Sequence, residues 1–269
     1  MSKYKRSNIL IIFLLLLLSS CEKEINIDLN NTNSRFVIEG NISNFAGESV
    51  VKITKTQNFD ETTPFPMVSA AIVTITDTLL NKIDTLKETS AGIYTNSSLY
   101  GVVGYTYKLQ VKIGTETFTS FSTMPYPLLL DSLVQIIPKE GDPVPPAGTP
   151  GAGSIQFQPS YKNFTKTDKY LQYVITRNDT LLNNLIIRAD MAASGFSFPI
   201  PFSIKSKKKD ILKINIQLID KTVYNYLSAA NRNIGQFSAT PSNPTANISN
   251  GALGFFKAHT SQKITLVVK

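Results

Sequence analysis

The sequence predicts a mainly β protein made of two β-sandwich-like domains, the first immunoglobulin-like or transthyretin-like and the second carrying one packed helix. Three observations predict it. Short runs of β-branched and aromatic residues, separated by Gly, Asn, Asp and Pro, recur at sandwich-like spacing through residues 35–124. Within them, Tyr105–Ile113 is apolar at every odd position, the pattern of a strand with one buried and one wet face. The same texture resumes after residue 128 and is interrupted once, at Asp220–Asn233, where Val223, Leu227 and Ala230 fall at helical spacing.

In the first domain, 35–124, strands are expected at Phe36–Glu39, Val50–Thr54, Ala71–Thr76, Lys82–Leu86, Tyr105–Ile113 and Thr115–Phe121, with a tight hairpin at Ile113-Gly114-Thr115. Ser69–Ile75, Gly92-Ile93-Tyr94 and Gly104–Leu109 resemble the sandwiches of carboxypeptidase-regulatory-like domains, which implies a fold and no activity. Met124-Pro125-Tyr126-Pro127 is a stiff extended connector, because proline fixes φ and turns the residue before it away from helix. In the second domain, 128–269, strands are expected at Leu128–Ile137, Ser154–Phe157, Tyr170–Arg177, Leu185–Ala189, Phe196–Ile204, Ile211–Ile219 and Lys263–Val268. Residues 138–153 hold five prolines and four glycines and form a loop. The helix, about 221–233, starts behind an Asp220 cap and ends at Gly235.

Ahead of these domains, Lys3, Lys5 and Arg6 precede ten unbroken apolar residues, Ile9–Leu18, and then Ser19-Ser20-Cys21. A charged region, a short apolar run and small residues make a secretory signal over residues 1–20. Ending on the chain's single cysteine, it looks like a bacterial lipobox, in which Cys21 is the lipidation site and the first residue of the mature protein. An uncleaved membrane anchor fits poorly, since ten helical residues rise ~15 Å against a hydrocarbon core of ~30 Å. An ordinary signal leaves the position of the only thiol unexplained. Residues 21–34 then read as a polar tether. Glu22-Lys23-Glu24 partly resembles the acidic export signal that sends Bacteroidota lipoproteins to the outer face of the outer membrane, with Ile25 where a second acid usually follows. The expected location is the outer membrane, on the cell surface, with the periplasmic face as the alternative.

Composition then excludes several function classes. Residues 1–20 hold three of the 27 Lys and Arg and none of the 19 Asp and Glu, so processing takes the net charge from +8 to +5. With one dense basic run only, nucleic acid is not an expected partner. One histidine and one thiol, the latter acylated, leave no intrachain disulfide, no multi-His metal site and no Cys-His nucleophile. No phosphate loop or nucleophile elbow occurs. No metal, no cofactor and no enzymatic activity are expected, and His259 reads as a structural or surface histidine.

Candidate contact residues remain. Lys205, Lys207, Lys208 and Lys209 form the basic run, placed where a hairpin turn belongs between two strands. It fits either anionic lipid heads or an ordinary solvated turn. Asp77-Thr78-Leu79, Asp84-Thr85-Leu86, Asp131-Ser132-Leu133 and Asp179-Thr180-Leu181 resemble the O-glycosylation acceptor of Bacteroidota envelope proteins, which makes Thr78, Thr85, Ser132 and Thr180 candidate acceptors. Asp and Thr also cap turns unaided.

Phe36–Ile42, Val68-Ser69-Ala70-Ala71, Tyr224-Asn225-Tyr226 and Asn243–Phe256 together resemble a large Bacteroidota lipoprotein family catalogued as a domain of unknown function (4249). The resemblance spans nearly the whole mature chain. It implies an accessory role beside TonB-dependent receptors of the outer membrane in nutrient uptake, and it carries no catalytic residues. A stand-alone surface module for glycan, polymer or adhesion is the alternative. Physically, Asn243–Gly254 supplies turn formers and small residues that pass close to other backbone and place Phe255 and Phe256 in the second core.

Overall fold

Strands form where the sequence alternates, and their inward faces build the core of the first half. The computed structural model describes residues 34–58, 61–137, 153–162, 169–183, 185–190, 201–234 and 244–269. Cys21, loop 138–152 and Gly235 lie outside them. The first half comprises β1 (Phe36–Ser43), β2 (Val50–Lys55), β3 (Ile72–Asp77), β4 (Lys82–Ser90), β5 (Ile93–Thr95), β6 (Thr106–Ile113) and β7 (Glu116–Thr123). Gly114 turns β6 into β7 with a φ of 57°, as the hairpin reading requires. The second half comprises β8 (Leu129–Ile136), β9 (Ser154–Lys162), β10 (Lys169–Arg177), β11 (Thr180–Leu181), β12 (Ile186–Asp190), β13 (Phe202–Lys205), β14 (Ile211–Ile219), α1 (Lys221–Ile234) and β15 (Leu253–Val267).

One long sheet runs β11-β10-β14-β15-β1-β2-β5-β4-β3-β6-β7, with β12 also on β10, and a three-stranded sheet runs β13-β9-β8. Ser34–Gln57 and Thr63–Lys269 hold together as one compact unit. The joint is β15, which pairs parallel to β1 through Val37–Ser43 and antiparallel to β14 through Ile211–Leu218. From β15 outward through the first half the sheet curls back on itself. β7 returns beside β15, where the Ala258 amide donates to Ser122 Oγ at 2.8 Å and Ser120 bridges Ile248. The enclosed core contains Ile38, Val51, Ile75, Leu86, Tyr94, Leu109, Val111 and Phe118, closed by Phe256 and Ala258 from β15. A second core, with Phe157, Tyr173, Phe202, Ile214 and Leu218, fills the space between the long sheet and the three-stranded sheet.

The helix forms as its sequence predicts. Asp220 Oδ1 accepts the Val223 amide at 2.9 Å, capping the first turn. Val223 and Leu227 bury against Tyr170, Ile187 and Ile219, on the face of the sheet opposite the second core. Tyr224 packs on Tyr170 and Tyr226 on Phe255, with centroids 4.9 and 5.4 Å apart. The other oxygen of Asp220 accepts Ser122 Oγ–H, so the helix cap and the closure of the first core share one serine.

Two expectations about the C-terminal segment change. The last strand begins at Leu253, ten residues ahead of Lys263, because Lys257, His259, Thr260 and Ser261 are buried polar positions inside a strand. Phe255 and Phe256 do not both enter the second core. They alternate across β15, so Phe256 fills the first core and Phe255 packs beneath the helix. The close backbone approach does occur: Gly254 has a φ of 100°, and a Cβ there meets Ile38 O at 2.1 Å. Asn247 fastens the same stretch, its side chain accepting the Phe256 amide at 2.9 Å and donating to the Phe256 carbonyl at 2.8 Å. Arg35 donates from Nε to Gly251 O at 3.0 Å. Gly254→Ala is expected to cost more than about 3 kcal/mol in urea unfolding, since strain and a backbone clash combine. Gly114→Ala, which meets open space, is expected to cost about 1 kcal/mol.

Candidate functional site

Strand alternation that buries Ile75 and Leu86 carries Asp77, Lys82 and Asp84 onto the same inward face at the mouth of the first core. In the antiparallel register Asp77 sits opposite both Tyr107 and Lys82, and Ile75 opposite Asp84. On the outward face Ile72 and Ile83 are 59% and 65% exposed, among Thr74, Thr76 and Thr85. Charged side chains that continue the core face leave this end of the sandwich open and polar. The mouth holds a cleft of about 170 Å³, walled by these strands and by residues 98–102.

Both walls are braced. Asp77 Oδ1 accepts the Leu79 and Leu80 amides at 2.9 and 3.0 Å, an Asx turn closed by Asn81 at φ 54°. Asn96 Oδ1 accepts the Ser98 and Leu99 amides, and its Nδ2 donates to Thr85 O at 3.1 Å. The Gly101 amide reaches Ser43 O at 2.8 Å, and the Val102 amide reaches the Tyr107 hydroxyl at 2.6 Å. Burial, with the Asp77 charge adding to it, raises the Tyr107 pKa above the usual phenol value, partly offset by the Val102 amide. Lys82 Nζ lies 3.0 Å from Asp84 Oδ2. Around this floor stand exposed Leu79, Leu80, Tyr100 and Val102.

On the other face of β4 a second, open trough of about 440 Å³ is lined by Thr85, Lys87, Thr89, Thr95, Asn96, Ser97 and Ser98. Ser98 belongs to both concavities. Two candidate acceptors therefore flank this region: Thr85 lines the trough, and Thr78 is exposed on the turn beside the cleft, donating to Thr106 O at 2.9 Å. Thr180 is exposed in the β10–β11 hairpin, and Ser132 is half-buried at an irregularity in β8. Lys205, Lys207, Lys208 and Lys209 are exposed and line neither concavity. Their segment is not a hairpin turn. β13 pairs with β9 and β14 with β10 and β15, so 206–210 crosses between two sheets. Asp210 holds the crossing by accepting the Lys207 amide at 2.8 Å and Asn178 Nδ2 at 2.9 Å.

The cleft escapes a reading by motif, because Tyr107 belongs to none and Asp77 enters only as the first residue of the Asp77-Thr78-Leu79 acceptor pattern. The available signal was the even spacing of Lys82 and Asp84 from Leu86, which sets them on the core-facing side of the strand.

A second titratable cluster is sealed within β15. Lys257 Nζ donates to Gln172 Oε1 at 2.7 Å and to Gln217 Oε1 at 2.6 Å, while the residue is 7% exposed. Burial pushes its pKa down to about 7. Two residues on, buried His259 lies 3.4 Å from Asn41 Nδ2 and 3.1 Å from Ser261 Oγ. Its pKa is held well below the usual imidazole range by burial and then by the Lys257 charge. His259 is thus a buried structural residue. Among the described residues no group of three or more His, Cys, Asp or Glu is placed to hold a metal ion. No described helix is long and apolar enough to cross a membrane.

A curled β-sandwich sharing its last strand with a second, helix-covered sandwich, and open at a polar mouth, defines a mainly β protein of sandwich architecture. Residues 22–265 match the family described as a domain of unknown function (DUF4249), and the chain belongs to that family. No curated protein matches it. Two solved structures align over most of the chain at low similarity. One is a cytokine receptor complex, at 9% identity, 86% of this chain, 95% of that chain and a TM-score of 0.26. The other is a proposed carbohydrate binding protein from Bacteroides uniformis, at 10% identity, 87% of this chain, 98% of that chain and a TM-score of 0.25. Scores this low carry no argument about function.

Lys257 gives the protein a pH signature. Its folded pKa of about 7 lies below its ordinary value of 10.5, so between them the unfolded chain binds more protons and stability rises with pH. Below about 7 this group's penalty is complete. In urea unfolding from pH 7 to 10, Lys257→Met is expected to remove a slope approaching about 1.4 kcal/mol per pH unit. A difference from the native chain that stays constant over that range refutes a neutral buried amine.

Proposed function

We propose that this chain is a non-enzymatic, lipid-anchored protein of the bacterial cell envelope that works by contact, as an accessory partner of a TonB-dependent outer-membrane transporter in nutrient uptake. The leader ending at Cys21 and the polar tether after it support the anchor, and two acyl chains give stable attachment where one is marginal. The partner rests on what the resemblance of Asn243–Phe256 and the other quoted segments implies, a place beside such receptors. One observation carries the contact role: exposed Leu79, Leu80, Tyr100 and Val102 crowd around a polar cleft on loops whose backbones are fixed by side-chain caps. Contiguous apolar side chains exposed on a rigid frame mark interaction surfaces, and loops on a fixed scaffold carry recognition.

A second reading, a stand-alone surface module for glycan or polymer, is favoured by the hydroxyl- and amide-lined trough beside that cleft. The two readings separate by experiment. From detergent-solubilised membranes, the tagged full chain is expected to co-purify a barrel transporter, and Leu80→Asp with Tyr100→Asp to reduce recovery at least tenfold. Recovery of no barrel protein counts against the accessory role. Cys21→Ala is expected to abolish palmitate labelling and membrane retention, and continued labelling refutes the anchor.

A further inference from the structure

We propose that the cleft at the mouth of the first core is a saccharide subsite that seats one ring of a neutral glycan, with the neighbouring sugars lying along the trough. The inference rests on reading this surface as the recognition surface, and it assigns the ligand class. A sugar ring offers an apolar C–H face and a rim of hydroxyls. The cleft offers the complement: aliphatic floor atoms from Ile75 and Leu99, the exposed ring of Tyr100, and polar groups at the edge. Aromatic faces suit C–H faces of this kind, and sites built from an apolar floor and a few convergent polar groups bind small ligands. At about 170 Å³ the space suits one ring rather than a drug-sized molecule.

The polar groups are placed for adjacent hydroxyls. Asp77, 7% exposed, commits Oδ1 to the two turn amides, which leaves Oδ2 as an acceptor at the cleft. Tyr107, 3% exposed and directly across the strand pair, receives the Val102 amide on its oxygen and keeps its own proton to donate. An acceptor and a donor side by side on buried, braced side chains match the alternating donor and acceptor character of neighbouring sugar hydroxyls. An ammonium ligand fits less well, because Lys82 already faces Asp84 at 3.0 Å and brings a positive charge to the same wall. From the shared Ser98 the trough continues the pattern with Thr85, Asn96 and Ser97, hydroxyls and an amide suited to further sugar units.

The full chain in detergent, applied to an array of neutral and acidic glycans, is expected to retain at least one neutral glycan. Isothermal titration of that glycan is then expected to show affinity reduced at least tenfold by Tyr100→Ala and by Asp77→Asn. Thermal midpoints report whether each variant is folded, and Tyr100→Ala decides alone if Asp77→Asn is not. Retention of no neutral glycan, or binding of spermidine in its place, overturns the proposal. Retention unchanged in Tyr100→Ala removes the cleft while leaving the glycan module standing, and none of these outcomes depends on whether a transporter co-purifies.

Discussion

The structure depends on the pairing of β15 with β1. These two strands come from opposite ends of the fold, run parallel, and share a register of seven residue pairs from Val37–Leu253 to Ser43–His259. The arrangement demands that backbone meet backbone without side-chain interference at Gly254, and a Cβ at that point has no place to go. Once the pair forms, the alternation of β15 distributes its side chains to three environments. Phe256 and Ala258 close the first core, Ile264 and Leu266 pack on the second, and Phe255 supports the helix. A single strand thereby couples cores that would otherwise be independent sandwiches.

Polar side chains make that coupling specific. Asn247 binds Phe256 on both its amide and its carbonyl, and Ser122 accepts from Ala258 while donating to the helix cap Asp220. Such bonds add little net stability each, about 1 kcal/mol, but an unmet partner in these positions costs more, so they exclude shifted registers. Lys257 follows the same logic at higher stakes. A buried amine is tolerated because two glutamine oxygens on neighbouring strands receive its protons, which aligns β10, β14 and β15.

Much of this was legible before the structure. The clean alternation of Tyr105–Ile113 and Ile211–Ile219 marks strands whose observed bounds differ by no more than a residue. The Asp220 cap and the spacing of Val223 and Leu227 mark the helix. From sequence alone the final strand starts late, at Lys263, because Lys257, His259, Thr260 and Ser261 look like a loop, and only burial by neighbouring elements makes them strand interior. The basic run reads as a hairpin turn because strands adjacent in sequence usually pair, whereas β13 and β14 belong to different sheets. For the candidate site, the turn chemistry of Asp77 was visible but its inward direction was not. That direction follows from pairing with β6, a contact about thirty residues away along the chain.

That β15 follows every other described strand of both cores along the chain has a consequence for how the fold assembles. Neither hydrophobic interior can be sealed until β15 has joined strands far from it in sequence, so closure of both cores waits on the slowest class of contact. A fold whose keystone pairing is also its longest-range strand pairing joins its two interiors in one closing step, by topology alone.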